Sequence, residues 1–127
     1  MSELNLLDGV QAFMAACGQL DDPPTFDDDQ LRYLRYALLE EEYNEWVTAD
    51  GVDDHAEMID GLLDICVVAW GSVLAFLGPV KAKAAAAEVT RSNLSKVVDG
   101  RVLKNAAGKI LKPVGWSAPD IAGVING

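Results

Sequence analysis

The chain is poor in the residues that build soft-metal and redox centres. Its two cysteines, Cys17 and Cys66, stand in apolar surroundings without a Cys-x-x-Cys spacing, and the single histidine, His55, cannot complete a zinc site with them. Both thiols are expected to be reduced core residues. Cations are scarce as well: 10 Lys and Arg face 20 Asp and Glu, for a net charge of −10 and a pI near 4.3. That balance disfavours DNA or RNA, whose phosphates demand a basic surface. A small phosphorylated ligand stays open, provided divalent cations neutralise an acidic site. Long hydrophobic runs are missing too. The longest, ICVVAWGSVLAFLG, is about 14 residues, shorter than a bilayer needs. Met1 to Leu7 carries no basic residue, so no signal peptide is expected. The expectation is a soluble cytoplasmic protein with no membrane and no nucleic-acid polymer as partner.

What is present suits one globular domain. The chain has 127 residues, half of them apolar and 24% charged, enough for a core and unlike a disordered composition. We read a single domain over residues 1–127, with a helical core over 4–96 and a tail over 97–127. Leu6, Val10, Phe13, Met14 and Cys17 have helical spacing. Gly18 ends that helix, and the prolines of GQLDDPPTF make a loop. A second helix should start beside Asp27 or Asp28 and run to about Ala49, and a third from Asp53 or Asp54 to about Phe76. The third is apolar all round after Asp64, so it should be central and the most buried, with Trp70 in the core. A fourth should open at Pro79 and reach about Lys96. In the tail, RVL and KIL flank a Gly-containing turn, which favours a small β-hairpin. The fold class expected is all-α: a four-helix bundle-type domain with a short C-terminal β-hairpin or irregular tail.

Two helical stripes change chemistry midway. Leu31, Leu34, Leu38, Glu42 and Glu45 share one face of the second helix, apolar first and acidic afterwards. Glu57, Asp60, Asp64, Val68 and Gly71 share one face of the third, in the opposite order. A short turn joins the two helices, so they should be antiparallel and the acidic halves should meet. Carboxylates converging in a partly buried groove repel one another and lose hydration. Either they take up protons or a cation sits among them. An oxygen-only donor set suits Mg²⁺ or Mn²⁺. A plain solvated acidic face is the other reading of EEEYNE.

These residues also resemble a known pattern. Glu41-Glu42-Tyr-Asn-Glu45 followed by Glu57-Met-Ile-Asp60 is similar to the EExxE…ExxD signature of the MazG-like, all-α nucleoside triphosphate pyrophosphohydrolases. Those enzymes are related to dimeric dUTPases and to phosphoribosyl-ATP pyrophosphohydrolase. VQAFMAACGQ, LRYLRYALLEEEYNEW, AEMIDGLLDICVVAWG, EVTRSNLSKVVDGR and GKILKPVGWSAPDI each resemble segments of the small, phage-type branch. Two departures stand out. Only 11 residues separate Glu45 from Glu57, and Met14 stands where relatives often carry histidine.

The resemblance implies Mg²⁺-dependent hydrolysis of a nucleoside triphosphate, of a deoxy or non-standard kind, to the monophosphate and pyrophosphate. Glu42, Glu45, Glu57 and Asp60 match the metal ligands. Asp64, one turn on, is a candidate for a second metal or a ligand water. Glu41 and Glu42 are the candidates for orienting the attacking water. Arg91, Asn93 and Lys96 are candidate phosphate contacts, with Lys112 and Lys109 in the tail as further cations; a helix C-terminus favours such cations in any case. Gln19 and Trp46 are the candidate base contacts, with Tyr43, Trp70 and Trp116 as other aromatics able to stack. The third helix has more apolar sides than one small chain can cover, so a homodimer or dimer of dimers is expected. The alternatives are a non-catalytic acidic interaction module, or the same fold acting on phosphoribosyl-ATP.

Overall fold

The computed structural model describes residues 3–127. It is all-helical: α1 spans Leu6–Ala16, α2 Asp29–Gly51, α3 His55–Leu77, α4 Pro79–Leu94 and α5 Ile121–Asn126. The chain divides into two compact units, Met1–Pro79 and Val80–Gly127.

In the first unit, α1 and α2 both pack on α3. The starts of these helices follow from side chains that satisfy otherwise orphaned N–H groups. The Asn5 side chain accepts from the Asp8 amide at 2.8 Å, Asp28 from Leu31 at 3.0 Å and Asp54 from Glu57 at 3.2 Å. Only Val52, Asp53 and Asp54 separate α2 from α3, and the chain reverses there because Asp53 takes a left-handed conformation, φ 54°. Aspartate tolerates that region better than most residues. The helices therefore run antiparallel. Gly61 sets their spacing: a Cβ there would lie 3.1 Å from both Cα and Cβ of Trp46. With no side chain at 61, α3 approaches the α2 backbone closely at the level of the acidic residues. The loop after α1 returns to the end of α3, where Phe26 stacks on Phe76 at 5.6 Å and Pro24 lies against Gly78.

In the second unit, α4 carries the tail. Lys81 Nζ donates to the Ile125 carbonyl at 2.7 Å, and Ser92 Oγ to the Ser117 carbonyl at 2.8 Å. The β-hairpin does not form as strands among the described residues. RVL and KIL do face each other, with Leu111 N donating to the Leu103 carbonyl at 2.8 Å, but the pairing amounts to one isolated antiparallel bridge, Lys104↔Ile110, and Val98↔Arg101 is a second. A two-stranded hairpin with few side-chain neighbours is marginal. The tail then ends in α5, which the sequence reading did not expect. Asp120 starts it by accepting from Gly123 N at 2.9 Å.

Two expectations about burial are corrected. Both cysteines are free but exposed: their apolar neighbours in sequence do not enclose them in space. Helix α3 is central to its unit and holds more buried residues than α1, α2 or α4, but Trp70 is only half-buried, and Cys66 and Ala69 on the apolar half are exposed. Its buried side is the stripe Gly61, Val68, Gly71 and Leu74. By length and composition alone α3 could cross a bilayer, with mean hydropathy 1.8 over its most apolar stretch. However, Glu57, Asp60 and Asp64 occupy its first turns, and the segment after them is only about 13 residues, short for a span.

Candidate metal centre

Antiparallel pairing places Trp46 against Gly61 and Arg35 against Val68, Gly71 and Ser72. Between those two levels, Glu42 and Glu45 of α2 meet Asp64 of α3. One carboxylate oxygen from each lies within 4.8 Å of the others. Glu42 and Asp64 are half-buried and Glu45 is exposed. The Oε2 atom of Glu42 is buried without a hydrogen-bond partner, an arrangement that costs free energy unless a proton or a cation compensates it.

The electrostatics point the same way. Burial, then the neighbouring carboxylates of Glu45, Asp64 and Glu41, push the Glu42 pKa up from 4.5 to about 7. Burial, followed by the charges of Asp60 and Glu45, raises that of Asp64. The cluster thus holds more negative charge than it can comfortably carry, and a divalent cation would relieve it. Three oxygens, no nitrogen and no sulfur fit a hard ion.

The other acidic candidates lie around this centre rather than in it. Glu41 and Glu57 line an open cleft of about 670 Å³ together with Glu40, Glu45 and Asp54. The exposed Asp60 is close enough to raise the Asp64 pKa. An adjoining cavity of about 550 Å³ is mostly apolar, lined by Val10, Phe13, Met14, Leu38, Val67 and Val68, with Asn5, Gln19 and Arg35 as its polar groups. Leu38 is one helical turn before Glu42, and Val68 one turn after Asp64, so the apolar cavity and the carboxylate cluster are consecutive along both helices.

Gln19 therefore lines a cavity beside the cluster. Trp46 is half-buried at the helix crossing, edge-to-face with Tyr43 at 5.9 Å, and its Nε1 is buried without an acceptor. Arg91 belongs to the second unit and is engaged there. It holds Glu88 at 2.8 Å and donates to Ser117 Oγ and the Ala118 carbonyl. Arg91 and the Asp120 amide hold the Glu88 carboxyl down to about 2. Lys96 Nζ donates to Asn93 Oδ1 at 3.2 Å, and Lys112 sits 4.5 Å over the Trp116 ring. Lys109 is exposed, and its amide donates to Asn105 Oδ1.

Sequence reasoning missed Gly61 and Arg35. A glycine inside a strongly helical stretch, MIDGLLD, signals close backbone approach. Arg35 shares a face with Leu31 and Leu38 by steps of four and three, a charged residue on an apolar stripe. No protein-family model matches the chain, and no curated protein matches it.

Proposed function

We propose that the protein is a Mg²⁺-dependent pyrophosphohydrolase, cleaving a nucleoside triphosphate between its α and β phosphates to release the monophosphate and pyrophosphate. The observation that carries this reading is that carboxylate oxygens of Glu42, Glu45 and Asp64 lie within 4.8 Å of one another, while Oε2 of Glu42 is buried with no hydrogen-bond partner. Glu42, Glu45 and Asp64 would hold the cation, with Glu57, which lines the cleft, and Asp60, which neighbours Asp64, as outer ligands. Bound Mg²⁺, or Mn²⁺ in its place, would supply charge neutralisation on the phosphate oxygens.

Glu41 has a separate part. It lines the open cleft and stands outside the three-oxygen cluster, so its carboxylate is free to orient a water and accept its proton. The water oxygen bonds to phosphorus as the bridging P–O bond breaks, and the bridging oxygen leaves with one of the two products. The apolar cavity lined by Leu38, Val68 and Gln19 takes the base, one turn from the cluster on both helices. An acidic cleft beside an apolar cavity matches a ligand with a polyanionic end, reached through a metal, and a flat, largely apolar end.

Self-association belongs to the same proposal. Tyr36, Leu39, Tyr43 and Val47 form an exposed stripe on α2, and Ile59, Leu62 and Leu63 another on α3. A second copy covering them would form a homodimer, or a dimer of dimers, in which the bundle is completed between chains.

The test is a panel of common ribo- and deoxynucleoside triphosphates, with phosphoribosyl-ATP included, assayed for pyrophosphate with Mg²⁺ and with a chelator. Pyrophosphate plus monophosphate, dependent on Mg²⁺, is the expected result. No release from any member would favour a non-catalytic interaction module.

A further inference from the structure

Arg35 is an anomaly in this molecule. Its guanidinium is half-buried at the wall of the apolar cavity. Nε donates to Ser72 Oγ at 3.0 Å and Nη2 to the Val68 carbonyl at 3.1 Å, while Ser72 Oγ itself donates to the same carbonyl at 2.7 Å. Both acceptors are neutral. The chain has twice as many acids as bases, yet among the described residues no carboxylate pairs with Arg35, whereas Arg32 and Arg91 each have one. Burial lowers its pKa, but an arginine keeps its proton in proteins. The guanidinium rests over Gly71, where a Cβ would come within 2.5 Å of Nη2, and beside the Met14 sulfur. Its Nη1 amine has no protein acceptor among the described residues.

A charged group fixed by neutral partners in an apolar wall, with donors to spare, is suited to a ligand that brings acceptors. We propose that Arg35 is the specificity-determining residue of the cavity, selecting nucleotides whose base carries a carbonyl at purine C6 or pyrimidine C4, as in hypoxanthine, guanine or uracil, over those with an amine at that position, adenine and cytosine. This rests on the pyrophosphohydrolase reading and names its substrate class. The chemistry is one-sided. Guanidinium has only donors, so it pairs with the O6 and N7 acceptors of an oxopurine. The N6 amine of adenine in the same place would set donor against donor and leave both desolvated. A site built to hydrogen-bond a substrate group discriminates strongly against an analogue that cannot answer it.

Two nearly isosteric pairs test this: dITP against dATP, and dUTP against dCTP, compared by kcat/KM for pyrophosphate release. The wild-type protein should favour the oxo member of each pair at least tenfold. Arg35→Gln, whose amide offers both a donor and an acceptor, should bring the dITP/dATP ratio to within about threefold of one. Ser72→Ala removes one acceptor of Arg35 but keeps the charge, so it should lower thermal stability while preserving the preference. Should Arg35→Gln fold poorly, the wild-type ratios still decide. Equal rates for dITP and dATP, or a preference for dATP, would overturn the inference alone. Release from none of the four would overturn the pyrophosphohydrolase reading and this inference with it.

Discussion

At the scale of single residues, metal binding turns on which carboxylates hold the charge. Glu42 and Asp64 contribute oxygens to the cluster, while Asp60 presses on it from outside. Calorimetric titration with Mg²⁺ should therefore show binding weakened at least tenfold by Glu42→Gln or Asp64→Asn, and less by Asp60→Asn. The metal-free protein should be as stable or more so after either of the first two changes, because each removes a charge from an over-acidic group. Equal losses for all three would mean that the ion sits elsewhere along the cleft. The same residues set a pH dependence. The Glu42 pKa is about 7 folded against an ordinary value of 4.5, so the folded state binds the extra proton between those values. Metal-free stability should then fall as pH rises from about 4.5 to about 7 and level off above. Glu88 works in the opposite sense: its depressed pKa near 2 contributes stability above about 4.5 that is lost as pH falls toward 2. Melting curves of the metal-free protein across pH check both. A metal-free melting temperature that climbs from pH 5 to pH 7 would contradict the Glu42 assignment.

At the scale of elements, the α2–α3 pair does most of the positioning. Gly61 keeps the two backbones close enough for carboxylates from both helices to meet. Gly61→Val must push α3 off Trp46, whose contacting atoms belong to the backbone and Cβ and cannot swing aside. Overpacking of this kind typically costs about 1–3 kcal/mol, and Mg²⁺ affinity should fall with it. Gly9 in α1 is a contrast: nothing lies within 4 Å of a Cβ there. Gly9→Ala should stabilise by about 0.5–1 kcal/mol through backbone entropy. Denaturant unfolding of the two variants separates the effects, and a stabilising Gly61→Val would refute the close-approach argument.

The elements also mark what could be read from sequence. Asp28 and Asp54 as helix caps, Pro79 as a first-turn residue and the antiparallel meeting of two acidic half-stripes follow from local rules of spacing and capping. The tail does not. Its course depends on Arg91 and Ser92 reaching Ser117 and Ala118, and on Glu88 accepting from Asp120. Those pairings link residues 25 or more apart in the chain, which no periodicity announces. The six residues of α5 were likewise too few, with a glycine among them, to stand out as a helix. Arg35 was overlooked because a charge on an apolar stripe is informative only once its partners are known.

At the scale of the whole molecule, composition and exposure make their own claims. An acidic chain with an unpaired carboxylate cluster should be strengthened by a cation that binds only the folded state. At free Mg²⁺ of about 100 times its dissociation constant the gain is roughly 2.7 kcal/mol, so melting temperature should climb with Mg²⁺ and not with Na⁺ of matched ionic strength. The exposed stripes on α2 and α3 predict a sedimenting species of at least twice 13.6 kDa at micromolar concentration. Charge placed in the α3 stripe, as in Leu63→Glu, should shift it toward the monomer. The sequence suggested association because α3 is so apolar, but it could not say which sides the chain itself covers; here those are the glycine-bearing stripe and its neighbours.

The measurement that tests the central claim most directly is pyrophosphate released from nucleoside triphosphates in Mg²⁺ by the wild-type protein and by Glu42→Gln, assayed side by side at equal folded concentration. Release by the wild type, abolished by the chelator, and a loss of at least a hundredfold in the variant are the expected results. Wild-type rates in Glu42→Gln, or release unaffected by the chelator, would contradict the claim.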